Sequence, residues 1–207
     1  MRKLLVVLLI LGALAAGADY ALKQVAEGGV ATEMASALEL PEAPDVTIEG
    51  WPFTPRFLAG EVPAIDVTAE RAEAREVVLH DVALRITDVS FETGDVVRGR
   101  VDQVRTGGGQ GSAVLRGSEV ARTLEQLGAD VDVSFSSGQV EIASELGSVS
   151  AEVSLDGGSL VVSAGDLLSA SVNLPGLGGK VRYDSLRIMG GDIRIGLILE
   201  PGRITRG

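Results

Sequence analysis

The chain has no cysteine and a single histidine, His80, among its 207 residues. Disulfides, thiol nucleophiles and Cys-ligated metals are therefore excluded, and one imidazole without thiols cannot make a typical zinc or iron site. A Ser-His-Asp triad would have to use His80, and no nucleophile-elbow sequence supports one. Lysine is nearly as scarce: beyond Lys3 there are only Lys23 and Lys180, which leaves little for Ser-Lys chemistry. Aromatic residues make up 3% of the chain, seven in all (one Trp, two Tyr, four Phe). Asp81 with Asp88, or Asp130 with Asp132, could in principle serve a glycosidase. The chain lacks the aromatic platforms that sugar sites normally carry, so such alternating acids read as a solvated strand face. No twelve-residue calcium loop surrounds Asp130, Asp132 or Asp156. No catalytic residue, metal or cofactor is expected.

Positive charge is also lacking. The formal net charge is −11, and setting aside Arg2 and Lys3 leaves 16 basic against 29 acidic residues from Asp19 onward, or −13. Such a surface repels nucleic acid and gains nothing from anionic headgroups by bulk electrostatics. A lipid ligand would have to be captured by shape and apolar burial. The glycine runs do not make a phosphate loop: Gly107-Gly108-Gly109-Gln110-Gly111 lacks a following Lys-Ser/Thr, and Leu177-Gly178-Gly179-Lys180 precedes a strand. Both read as turns.

What is present is aliphatic. Hydrophobic residues are 45% of the chain and glycines number 27, which suits a β-dominated fold with many tight turns. Arg2-Lys3 precedes an uncharged run, Leu4 to Ala18, ending in the small-x-small pattern Ala16-Gly17-Ala18. The run is short for a spanning helix and fits a secretory signal cut before Asp19. The alternative is an uncleaved anchor extended through Tyr20-Ala21-Leu22. Either way residues 1–18 are an address, and 19–207 are expected to form one domain facing the cell envelope or periplasmic space.

Leu22, Val25, Ala26, Val30, Met34 and Leu38 fall on one helical face, predicting a helix from Asp19 to Leu38 ended by Pro41 and Pro44. Val78, His80, Val82, Leu84 and Ile86 alternate with Asp81, Ala83, Arg85 and Thr87, the period of a half-buried strand. His80 then lies on the apolar face, bonded to a backbone carbonyl. A strand over Val96–Val104 would end in the Gly107–Gly109 turn. A second helix, Ser118 to Leu127, carries Val120, Leu124 and Leu127 on one side. From Val131 onward, strands alternate with Gly turns, Asp156-Gly157-Gly158 being a hairpin signal. The class is α+β, β-dominated: some eight or nine strands, one-sided nearly everywhere, with two helices to cover them. The sheet either curls onto itself or leaves part of its apolar face to another occupant, such as an acyl chain.

The segment Val46-Thr47-Ile48-Glu49-Gly50-Trp51-Pro52-Phe53 with Phe57-Leu58-Ala59-Gly60 concentrates the only Trp and two of the four Phe. Together with the exported N-terminus, the alternating strand after it, and Gly111-Ser112-Ala113-Val114 leading to a short helix, it resembles the actinobacterial phospholipid-binding family named for lipomannan elongation. Trp51 stands where a smaller aromatic is more usual, and Thr54-Pro55-Arg56 departs from the expected apolar run. The resemblance implies a non-enzymatic phospholipid-binding or lipid-carrying protein of the envelope that supports lipoglycan or membrane-lipid maintenance. It also implies a long curved antiparallel sheet wrapped around one or two helices, similar to tubular lipid-binding folds. The expected partners are phospholipid, the outer surface of the cytoplasmic membrane and envelope glycan-assembly proteins. Trp51, Phe53, Phe57 and Leu58 are expected at a cavity mouth, the alternative being a plug of ordinary core. Val82, Leu84, Ile86, Val120 and Leu124 are expected to line the cavity. The rival function is a scaffolding envelope protein with a self-filled core.

Overall fold

The computed structural model describes residues 2–37, 40–74, 77–94, 103–119, 122, 132–136, 139–144, 147–156, 158–164, 168–174 and 181–205. It opens with one continuous helix, α1 (Arg2–Ala37), about 54 Å long at 1.5 Å per residue. The helix begins well before Asp19 because nothing in the run Leu4–Ala18 breaks it. Gly28 and Gly29 sit inside it with open space where a Cβ would be.

There follow β1 (Asp45–Ile48), the single-turn helix α2 (Phe53–Leu58), β2 (Glu61–Ala74), β3 (Val77–Phe91), β4 (Gln103–Thr106) and β5 (Gly108–Arg116). Next come β6 (Asp132–Ser136), β7 (Gln139–Ser144), β8 (Gly147–Asp156), β9 (Ser159–Ala164) and β10 (Leu168–Asn173). The chain closes with β11 (Val181–Met189), β12 (Asp192–Leu199) and β13 (Gly202–Thr205). All pairings are antiparallel. β1-β2-β3-β5-β12-β11 form the path of an eight-stranded sheet, with β4 and β13 paired beside it, and β6 to β10 form a five-stranded meander.

The α+β, β-dominated class and the large antiparallel sheet follow the sequence. Three details differ from expectation. The turn is shorter than expected: Gly107 and Gly108, the latter with φ of +116°, make it, while β5 already begins at Gly108 and takes in Gly109. Strands β1, β2 and β13 arise where no period-two run stands out. Finally, the five-stranded sheet supplies cover that the helices were expected to share. Of the expected strand Val96–Val104, the described part lies in β4. Of the second helix, only 118, 119 and 122 are described and helical, so Val120, Leu124 and Leu127 lie outside the described residues, as does the turn at 177–180.

Two apolar clusters hold the sheet at opposite ends. In the first, Ala113 and Leu115 of β5 and Ile193 and Ile195 of β12 pack with Leu160 and Val162 of β9 and with Leu79 and Leu174, so the two sheets meet face to face. In the second, Ile48, Phe53, Val62 and Val89 are buried, with Ala26 of α1, Phe57, Ile65, Ile86 and Phe91 packed against them. Each fully buried aliphatic side chain stabilises the fold by about 1.5–3 kcal/mol, so each cluster is a substantial anchor.

Candidate functional site

The register of the large sheet aligns one aliphatic face across five strands. Ile65, Val67 and Ala69 of β2 stand opposite Ile86, Leu84 and Val82 of β3. Ile86 and Leu84 stand opposite Gly109 and Gly111 of β5. Gly109, Gly111, Ala113 and Leu115 oppose Leu199, Leu197, Ile195 and Ile193 of β12. Leu197, Ile195 and Ile193 in turn oppose Tyr183, Leu186 and Ile188 of β11. The period of two makes the face continuous. A shift in the β3–β5 pairing between His80 and Ala83, where Asp81 takes a left-handed φ of 47°, bends the strand at the edge of that face.

The middle of this face differs from its ends. Val82 packs on the first cluster and Ile86 on the second. Leu84 lies between them, half-buried. Across from it, β5 carries no side chains at two successive inward positions. A Cβ on Gly111 would stand 2.5 Å from the Ala83 carbonyl oxygen, and one on Gly109 would stand 2.5 Å from that of Arg85. The glycines let β5 approach β3 closely and leave a bare strip between Leu84 and Leu197. Burial pushes the Tyr183 phenol on β11 up to about 12 from its ordinary 10.0, as expected for a hydroxyl held against apolar neighbours.

The opposite face is polar. Arg85 donates through one guanidinium nitrogen to both Asp66 oxygens at 2.9 Å and through the other to Glu49 at 2.7 Å. Glu49's hydrogen bond is the main reason its pKa is raised further. A shallow cleft of about 360 Å³ lies here, lined by Asp66, Thr68, Arg85, Gln110 and Ser112 among others. A phosphate headgroup would meet an arginine already neutralised by two carboxylates, which makes this cleft a poor anion site.

His80 is buried, but not on the aliphatic face where the strand period put it. Past the irregularity at Asp81 it stands opposite Val114, while Leu79 joins Ala113 and Leu115 on the inner face. Its partner is not a backbone carbonyl. Nε2 lies 3.1 and 3.2 Å from the two carboxylate oxygens of Glu119. The helical turn after β5 brings Glu119 back over the strand, where Gly117 N–H reaches the Asp192 carboxylate at 3.4 Å. Asp81 and Asp88, once weighed as a catalytic pair, are both exposed, with left-handed φ of 47° and 50°.

The aromatic segment forms a corner built on α1. Pro52 precedes α2 and gives it no side-chain cap. Asp19 of α1 does so instead, its carboxylate accepting the N–H groups of Phe53 at 2.8 Å and Thr54 at 2.6 Å. Glu27, two turns further along α1, accepts the Ile48 N–H at 2.7 Å. A hydrogen bond from the Thr54 side chain, then the Thr54 and Phe53 amides, hold the Asp19 carboxyl below its ordinary 3.8. Phe53 is 1% exposed and stacks obliquely on Phe57 at 5.3 Å, which in turn meets Phe91 at 5.4 Å. Trp51 and Leu58, by contrast, are 79% and 64% exposed.

The sequence profile of the LmeA-like phospholipid-binding family matches residues 17–198. The chain belongs to that family. Nothing among curated proteins or solved structures matches it significantly. The match takes in the second half of α1, the aliphatic face and every strand but β13. Of the residues expected at the ligand, the structure brings Phe53, Phe57 and Ile86 into one cluster and sets Val82 and Leu84 further along the same face. It leaves Trp51 and Leu58 on the surface. Sequence reasoning missed Val67 and Tyr183 on the inner face, whereas Leu197 follows from the alternation of Ile193, Ile195, Leu197 and Leu199 in β12. It also missed Asp19 and Glu27, which with Lys23 recur every four residues on one side of α1.

Proposed function

We propose that this protein binds phospholipid by laying acyl chains along the aliphatic inner face of the large sheet, over the bare strip of Gly109 and Gly111. In this reading it carries or presents lipid in the cell envelope rather than transforming it. The observation that carries the reading is the continuous aliphatic face, five strands wide, in a member of a phospholipid-binding family. Each buried CH₂ contributes about 0.8 kcal/mol, so two acyl chains could be retained with no headgroup charge code. That suits a domain of net negative charge whose Arg85 is already paired. Export to the envelope, through an N-terminal segment that is cleaved or kept as an anchor, and support of lipoglycan or membrane-lipid maintenance belong to the same proposal.

A second reading has its own support. The five-stranded sheet covers the β11–β12 end of the inner face, with Leu160 and Val162 packed against Ile193 and Ile195. A scaffold whose core is filled by its own side chains would need that cover. Native mass spectrometry of detergent-free protein, before and after organic extraction, separates the two. Adducts of phospholipid mass that vanish on extraction are expected. A clean apo mass that stays clean after incubation with phospholipid vesicles would leave the scaffold.

A further inference from the structure

We infer that the corner where α2 meets α1 is a membrane-docking surface, occupied by the interfacial zone of the same phospholipid bilayer that holds the run Leu4–Ala18. The argument begins with α1. Residues 9–18 are all exposed, so this half of the helix leaves the domain and is apolar on every side. A helix of that kind seeks an apolar solvent rather than water. Asp19 is the first charged residue after the run, and it is buried against the amides of Phe53 and Thr54. The start of α2 is thereby fixed at the level where the apolar run ends.

The length of the run reinforces this. Fifteen residues rise about 22 Å, whereas the hydrocarbon core of a bilayer is about 30 Å thick. A span that is too short draws its flanks into the interface. The flank here is not polar. Trp51 lies just before α2, Leu58 at its end and Tyr20 next to Asp19, and all three are exposed. Tryptophan and tyrosine concentrate at headgroup depth, where one end of the ring is apolar and the other is wet. Arg56, exposed on α2, adds a cation at the same level of an acidic domain. Bulk electrostatics would push such a domain away from anionic lipid, so contact depends on the tether and these apolar side chains. Neither Trp51 nor Leu58 belongs to the inner face, and the inference does not rest on lipid uptake there.

Trp51 is the sole tryptophan, so intrinsic fluorescence reports this corner alone. The full 207-residue chain would be reconstituted into vesicles of phosphatidylglycerol and phosphatidylethanolamine carrying doxyl-labelled lipid at a shallow or a deep acyl position. Docking predicts a blue-shifted emission, stronger quenching by the shallow label than the deep one, and loss of quenching by aqueous iodide. Leu58→Asp should restore iodide quenching without changing the thermal melt, since that side chain is exposed. Water-like emission that iodide quenches as strongly as in detergent-free solution would overturn the inference. So would quenching that persists, equal for both labels, in a lipid complex separated from the vesicles, because that would put Trp51 at a lipid-uptake site. Lipid adducts by mass and Trp51 depth by quenching are independent readouts, so either proposal can fail alone.

Discussion

Phe53→Ala and Trp51→Ala lie two residues apart and should behave oppositely. Phe53 is 1% exposed, within the cluster of Ile48, Val62 and Val89, and its ring sits 5.3 Å from that of Phe57. Truncation loses the transfer free energy of the ring and leaves a cavity that α2, capped by Asp19, is poorly placed to collapse into. Such changes cost about 3–5 kcal/mol. A domain of this size is stable by about 5–15 kcal/mol in total, so the loss is a large fraction of it. With a urea dependence of about 2–3 kcal/mol per molar, the midpoint should fall by about 1–2 M. Trp51 is 79% exposed, and surface changes of this kind stay within about 0.5 kcal/mol, leaving the midpoint nearly unchanged. Chemical denaturation followed by far-UV circular dichroism reads both. Equal losses for the two variants, or a Phe53→Ala midpoint within experimental scatter of the parent, would refute the division of this segment into core and surface.

Gly60→Ala should destabilise the same corner by about 1–3 kcal/mol in thermal denaturation, since a non-glycine residue is strained there. Gly60 has φ of +75°, and an added Cβ would run into the Phe91 carbonyl oxygen. Asp19 links stability to acidity. Its carboxyl is held low in the folded protein, so its contribution is fully present above its ordinary 3.8 and is lost as pH falls through the depressed folded value. Asp19→Asn should therefore flatten the acid limb of a melting-temperature profile, and an unchanged limb would mean that the cap does not form. Tyr183 has the opposite sign. Its folded value near 12 exceeds 10.0, so its contribution is present below 10.0 and lost as pH rises towards 12. In a Tyr20→Phe variant, leaving Tyr183 as the single tyrosine, the phenolate absorbance should appear near pH 12. Leu84→Gln places an amide in the middle of the inner face and should reduce phospholipid adducts in native mass spectra while both end clusters stay folded. Adducts at parental levels would move the ligand elsewhere.

The strands legible in the sequence were those whose burial is one-sided along their whole length. β12 reads directly, with Ile193, Ile195, Leu197 and Leu199 buried and Arg194 exposed between them. β2 did not read as a strand because Pro63 interrupts its start and Glu70 and Arg71 occupy its far half, where both are exposed. Gly109 resembled a turn residue because composition cannot distinguish a residue needed for a bend, as Gly108 is, from one needed for close approach of a neighbouring strand. The period of β3 was enough to put Val82, Leu84 and Ile86 on one face. The aromatic segment was recognisable as special, yet its split into buried and exposed halves depends on Asp19, 34 residues away from Phe53 in the chain. Local pattern carries no trace of such a partner. The same holds for His80: the strand period put it on the aliphatic face, the irregularity at Asp81 turns it to the other, and its bond to Glu119 depends on a turn beyond β5.

The order of the strands has a consequence for how the molecule comes into being. Leu115 of β5 pairs with Ile193 of β12, and Val104 of β4 with Ile204 of β13, while the whole five-stranded meander lies in the chain between them. The meander can assemble early from neighbouring hairpins, because its pairings are local. The large sheet cannot be completed until β12 and β13 have been delivered. A chain emerging N-terminus first, from a ribosome or through a membrane channel, therefore exposes the incomplete edge of β5 until β12 arrives, and premature contact between such edges is the route to aggregation. Ending the chain at Gly191 would remove β12 and β13 and leave that edge open for good.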